Sequence, residues 1–124
     1  MKLVIKMISN GIDIIYINRF EKFIDDNNFL ESFFNDSEIE YIKKHKKLDT
    51  IAGLFAAKEA MLKALKKGIN NYSLKDIEIL HDSNNAPYTV LHNEIKKDYN
   101  IDNISLSISH DKEYAIAIVT LILE

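Results

Sequence analysis

The chain has 124 residues, of which 47% are apolar and 28% charged, with a net charge of -3. That is enough apolar material to bury roughly two-thirds of the unfolded surface around one core, which excludes an intrinsically disordered chain and predicts a single domain over residues 1–124. The acidic balance argues against a nucleic-acid binder working through its whole surface. The absence of cysteine excludes disulfides and thiolate chemistry, so any metal must sit on Asp, Glu, His or Asn.

Residues 2–17 are rich in Ile and Val and predict a strand, entered by an extended arm. From Asn18, an expected N-cap, Phe20, Phe23 and Ile24 mark one face of a short helix that Asp25 and Asp26 end. A second helical piece carries Phe29, Leu30, Phe33 and Phe34. Ser37 and Glu40 have capping-box spacing before Ile42 and the run KKHKK, with a helix end expected near Leu48. The central helix is predicted over LDTIAGLFAAKEAMLKALKKG, where Leu48, Ile51, Phe55 and Leu65 form the stripe and Gly68 the C-cap. Six small residues, Ala52, Gly53, Ala56, Ala57, Ala60 and Ala64, leave its surface thin. Residues 77–80 and 88–91 flank the turn-rich DSNNAP as a hairpin, and a short helix follows around Glu94 to Tyr99. ISLSISH alternates strictly and pairs with YAIAIVTLIL as a terminal hairpin. This order predicts an α+β fold, an antiparallel sheet packed against a long central helix and shorter ones.

The longest apolar run, Ala115 to Leu123, is far shorter than the ~20 residues a spanning helix needs. Lys6, Ser9 and Asn10 interrupt what would be a signal-peptide apolar region, so the expected location is the cytoplasm.

Asp13 stands among isoleucines in GIDIIYI, where a lone buried carboxylate is costly. Either a hard cation such as Mg²⁺ offsets that cost, or Asp13 faces solvent or pairs with a lysine. Glu59 and Lys63 are four residues apart and share a helix face. Alone they make an ion pair worth ~0.2–0.5 kcal/mol; set with Lys58 among alanines, they suit a pocket for a metal and a phosphate. His110 has the parity of Ile104, Leu106 and Ile108 and reads either as a hydrogen-bonded structural residue or as a phosphate or ribose contact at the sheet rim. His45, His81 and His92 sit in polar surroundings and receive no role. Lys43, Lys44, Lys46 and Lys47, with Arg19, the only arginine, form either a solvated face or a dock for an acidic partner or polyphosphate. No P-loop, GxGxxG, HExxH or GxSxG motif is present.

GIDIIYINR, AGLFAAKEAMLKAL and SLSISH, in that order, resemble the holo-[acyl-carrier-protein] synthase family of 4'-phosphopantetheinyl transferases over most of the chain. The resemblance implies transfer of phosphopantetheine from coenzyme A to a serine of apo acyl carrier protein, with release of adenosine 3',5'-bisphosphate, in fatty acid biosynthesis. It implies Mg²⁺, coenzyme A as co-substrate, and a homotrimer with active sites in clefts between subunits. Carried over by position, Asp13 and Glu59 are the metal ligands; Lys63 acts with them in catalysis near the pyrophosphate. Lys63, Gly68, Pro87 and His110 contact coenzyme A, and Arg19 holds the acidic carrier protein. Glu59, or a water it orients, would take the serine proton. The chain departs from the family at Leu54, where an arginine is common, and at Lys66-Lys67-Gly68, where Gly-Thr-Gly is common; Lys46 or the Lys66/Lys67 pair would replace the missing charge. Residues 1–6 read as an extra tail. Two rivals remain from the residues themselves: a metal-dependent phosphohydrolase, and a trimeric coenzyme A-binding module that transfers nothing.

Overall fold

A computed structural model describes residues 5–66 and 72–124. Strand β1 (Met7–Tyr16) leads through a 3₁₀ turn at Ile17–Phe20 to three helices, α1 (Asn27–Phe33), α2 (Asp36–His45) and α3 (Leu48–Ala64). A second 3₁₀ turn at Leu74–Asp76 precedes the hairpin of β2 (Ile77–His81) and β3 (Pro87–Leu91). Helix α4 (Asn93–Asp98) then leads to β4 (Ile101–Asp111) and β5 (Tyr114–Leu123). The α+β expectation holds, with the strands divided between two antiparallel sheets ordered β1-β5-β4 and β2-β3.

Register decides what each face of the larger sheet carries. Asp13 pairs with Ala117, which also pairs with Ile108, so these three share a row; Ile15, Ala115 and His110 form the next. With side chains alternating along each strand, the row facing the helices holds Ser9, Gly11, Asp13 and Ile15 on β1, small or branched residues on β5, and Ile104 to His110 on β4. The opposite face exposes Ile8, Ile12, Ile14, Tyr16, Tyr114 and Ile118.

Helix α3 is buried almost all round, from Ile51 through Leu62, with Glu59 the half-buried exception. An α-helix apolar on every side is a core helix, and its alanines let it lie directly on the sheet. It crosses diagonally. Its first half meets β4, where a Cβ on Gly53 would come 3.0 Å from Ile108 Cγ2, and its second half meets β1, where a Cβ on Gly11 would overlap the Ala60 carbonyl oxygen.

Four local expectations need correction. The segment from Asn18 is a 3₁₀ turn in which Asn18 caps nothing, because the turn puts Ile17 and Phe20 on one side, both buried. The capping box of α2 is Asn35 and Glu38, two residues ahead of Ser37 and Glu40; Ser37 instead donates its hydroxyl to Glu78. That helix stops at His45, with Lys46 in the left-handed conformation at φ 54°. Helix α3 ends at Ala64, where Ser9 Oγ donates to the Ala64 carbonyl and the Tyr99 hydroxyl to that of Leu65, satisfying carbonyls left at the helix end. Lys66 takes the left-handed position at φ 63°, and Gly68 lies outside the described residues.

One charged pair sits in the core. Lys58 and Glu38 are both 0% exposed, with Nζ 2.6 Å from Oε1. Lys58 also donates to the carbonyls of Leu74 and Ile77, at 3.0 and 2.8 Å, while Glu38 accepts the backbone N–H groups of Asn35 and Ile79. Burial pushes the lysine down and the carboxyl up from their ordinary values, and each charge opposes the other's shift. The pair ties α3 to the start of α2 and to the β2-β3 hairpin.

Gly11→Ala should cost about 3 kcal/mol or more, because backbone cannot yield to the added methyl. Gly53→Ala should stay within about 1 kcal/mol of the parent, since the Ile108 side chain can move and the helix gains propensity. Urea denaturation compares them. Lys58→Met, leaving Glu38 charged and unpaired in the core, should lose about 3–5 kcal/mol in the same assay.

Candidate active site

The contact of Gly11 with α3 brings three polar groups to one place. Asp13 is two residues further along the inward row of β1; Glu59 and Lys63 stand one turn apart on the adjoining part of α3. Lys63 Nζ lies 2.9 Å from Asp13 Oδ1 and 3.0 Å from the Ile12 carbonyl oxygen. The isoleucines beside Asp13 point outward, Ile12 being 54% and Ile14 62% exposed, so it is the carboxylate that faces the helix. Of the alternatives for Asp13, the structure shows the lysine pairing.

Among the described residues Glu59 has neither a hydrogen-bond nor an ion-pair partner. Burial first, and then the charge of Asp13, raise its carboxyl above the usual range, against the lowering influence of Lys63 and Arg19. Two carboxylates whose charges act on each other, with an ammonium bridging toward one of them, form a donor set suited to a hard divalent ion. Among the described residues no cluster of three or more His, Asp or Glu side chains exists. Mg²⁺ held here would need its remaining ligands from water and phosphate oxygens, which is its common mode.

Arg19 is exposed just beyond β1, its guanidinium 5.3 Å from the centre of the Phe20 ring and 5.6 Å from that of Phe55. This stacking holds its stem and leaves its charge beside the Glu59 end of the site.

Pro87 and His110 lie elsewhere. They line a hollow of about 210 Å³ with Gly53, Leu54, Asn85 and Ile108, on the β4 side of α3. Asp13 and His110 are two strands and one pleat repeat apart, roughly 12 Å between Cα atoms, on opposite flanks of the helix. His110 has the expected parity but projects past the end of the core; its side chain is 54% exposed, with Nδ1 3.7 Å from Asp49 Oδ2. No lysine or arginine lines this hollow, and Leu54 is buried. One wall is Tyr41 stacked flat on His81, with ring centres 4.0 Å apart; burial and then the nearby His45 push the His81 imidazole below the usual range. Lys46 lines a separate cleft with Lys43, and Lys66 Nζ is 3.5 Å from the Asn10 carbonyl oxygen. Lys67, like Gly68, lies outside the described residues.

Sequence reasoning missed Glu38 as the partner of Lys58, though a lysine within an otherwise buried alanine-rich helix calls for an acid somewhere in the fold. It also gave His81 and His92 no role: His81 is the hollow's wall, and His92 Nε2 lies 2.8 Å from Glu78 Oε1, tying the hairpin to α4.

This antiparallel sheet crossed by one diagonal helix, with two acids and a lysine at the crossing, defines a small α+β protein. The chain belongs to the 4'-phosphopantetheinyl transferase superfamily, whose family model matches residues 9–119. It is 47% identical over 111 residues to the holo-[acyl-carrier-protein] synthase of Clostridium botulinum, covering 86% of this chain and 90% of that protein. It is also 47% identical over 116 residues to the synthase of Clostridium acetobutylicum, covering 90% and 94%. Among solved structures, the Helicobacter pylori holo-[acyl-carrier-protein] synthase in complex with coenzyme A matches with a TM-score of 0.82 and 45% identity, covering 93% of this chain and 99% of that one. The Bacillus anthracis enzyme in complex with CoA (3',5'-ADP) matches with a TM-score of 0.78 and 37% identity, covering 94% and 96%.

Glu59→Gln should stabilise the cation-free protein at neutral pH. An acid whose folded pKa exceeds its unfolded one holds extra protons in the folded state, so stability falls as pH rises through that interval and the loss persists above it. The glutamine removes the loss. Thermal unfolding without divalent cations should show a higher Tm for the variant at pH 7, with the advantage disappearing below the ordinary glutamate range.

Proposed function

We propose that this chain transfers the 4'-phosphopantetheine group of coenzyme A to a serine of apo acyl carrier protein, releasing adenosine 3',5'-bisphosphate, as a cytoplasmic enzyme of fatty acid biosynthesis. The observation that supports it most directly is Lys63 reaching Asp13 at 2.9 Å with Glu59 one turn away. Likeness to synthases bound to coenzyme A supplies the substrate.

Displacement at phosphorus asks mainly for positioning and for neutralisation of charge on the phosphoryl and leaving oxygens. Asp13 and Glu59 would hold Mg²⁺, whose charge would supply that neutralisation toward a pyrophosphate. Lys63 offsets the charge growing on the leaving phosphate. Glu59, whose carboxyl burial and then Asp13 raise above the usual range, is the candidate base for the serine hydroxyl, directly or through a water it orients. Arg19 presents an exposed, always-charged fork to the acidic carrier.

The expected coenzyme A contact at Lys63 belongs with the acids, whereas those at Pro87 and His110 belong to the hollow across α3. A ligand touching both sets is best served by two subunits, one giving each flank. The exposed Ile8, Ile12, Ile14 and Ile118 offer an apolar face for such assembly, consistent with a homotrimer.

Incubation with coenzyme A, Mg²⁺ and apo carrier protein, followed by intact-mass analysis, should show one phosphopantetheine added per carrier. Asp13→Ala and Glu59→Ala should each lower turnover more than about 100-fold, as loss of several kcal/mol of charge stabilisation requires. Near-normal turnover in either variant overturns these roles. Phosphate release without carrier would favour the hydrolase, and calorimetric binding of coenzyme A with no change in carrier mass the non-catalytic module.

A further inference from the structure

We propose that Lys63 is a displaceable counter-ion: its ammonium occupies Asp13 while no divalent cation is bound, is expelled when one arrives, and only then becomes free to meet a phosphate. This rests on the cation-dependent reading above and adds an order to it.

The argument begins with which partner can move. Asp13 is on a strand whose whole length is paired with β5 and whose neighbour Gly11 presses on the α3 backbone, and its side chain is 16% exposed. Lys63 is 55% exposed and held at its tip by two contacts, Asp13 Oδ1 and the Ile12 carbonyl. An ammonium on a flexible, solvated stem can leave at little cost, whereas the carboxylate cannot follow it. This is unlike Lys58, which is 0% exposed and bound on every side.

The next step concerns which oxygen is taken. Glu59 and Lys63 rise from the same helix ridge, so an ion shared by Asp13 and Glu59 approaches Asp13 from the side the ammonium now occupies. Like charges oppose an ammonium and a divalent ion on one carboxylate, so the two compete for it. Charge points the same way: with Arg19 acting on Glu59, the two carboxylates, the Lys63 ammonium and the guanidinium leave no net charge, and a divalent cation makes the cluster net positive. In the first state the lysine is engaged with Asp13. In the second the site attracts a pyrophosphate, with the lysine released. Cation binding therefore precedes productive binding of the phosphorylated ligand.

Isothermal titration with Mg²⁺ alone, without coenzyme A, tests this on the full chain. Lys63→Met should bind Mg²⁺ about tenfold tighter than the parent, because a competitor for Asp13 has gone. Lys66→Met removes a positive charge near the same helix end whose recorded contact is Asn10, and should change affinity less than about twofold. Lys63→Arg, which keeps the charge, should stay near the parent. In lysine-labelled parent protein, NMR signals of the Lys63 ε-methylene, assigned by their absence in Lys63→Met, should move toward free-lysine positions as Mg²⁺ is added. Equal or weaker Mg²⁺ binding by Lys63→Met, equal tightening in both methionine variants, or unmoved Lys63 signals would overturn the displacement while leaving the metal reading standing. No Mg²⁺ binding by any of the proteins would overturn both. Unfolding scans of each variant confirm that folded protein is compared.

Discussion

The approach of Gly11 to the carbonyl of Ala60 is the constraint on which the rest depends. With no side chain at that point, α3 lies backbone against backbone on β1. That distance sets everything around the crossing: Asp13, one pleat repeat further along, meets the residues on either side of Ala60, namely Glu59 and Lys63. Helix-capping contacts from Ser9 and Tyr99 hold the far end of α3 against the same strand. The polar groups therefore need no loop to position them. Groups carried on packed strand and helix hold their geometry more closely than groups on mobile connections.

Two lysines on one helix show how burial separates structure from chemistry. Lys58 and Lys63 both pair with an acid distant in sequence, at 2.6 and 2.9 Å. The first is sealed in the core, where every donor has an acceptor and losing a partner would strand a charge; such a group stabilises the unique arrangement of α2, α3 and the hairpin but cannot respond to a ligand. The second is screened by water, contributes little to stability, and for that reason can exchange partners. Between them in the helix, Glu59 has its carboxyl raised by burial and then by the charge of Asp13.

The diagonal course of α3 also accounts for the separation of Asp13 from His110. Its Glu59 end faces β1 and its Gly53 end faces β4, so Pro87 and His110 are carried to the flank away from Asp13. The outer face of the larger sheet is divided as well. Isoleucines and tyrosines cover β1 and β5, while Asn103, Ser105, Ser107 and Ser109 line the same side of β4. An apolar area of this kind on an otherwise charged protein suits association, which is the ground for proposing that opposite flanks of neighbouring chains form one cleft.

Much of this was legible in local pattern. Alternation in ISLSISH and YAIAIVTLIL specified the β4-β5 hairpin and the parity of His110, and the alanine run of α3 announced a helix that something would approach closely. Asp13, Glu59 and Lys63 were each anomalous or suggestive for reasons of burial and spacing. What local pattern misplaced were the ends: the capping box moved to Asn35 and Glu38 because Glu38 is drawn inward by Lys58, and α3 stopped before Gly68 because β1 and Tyr99 supply its cap. By itself, then, the order of residues determined element type and which side chains face the helix, since these follow from periods of two and 3.6 along the chain. Only the tertiary structure decided that Lys63 grips Asp13 while Lys58 grips Glu38, and that His110 stands across the helix from both. Those outcomes depend on the angle at which one helix crosses one sheet, and that angle is set by packing between residues far apart in sequence.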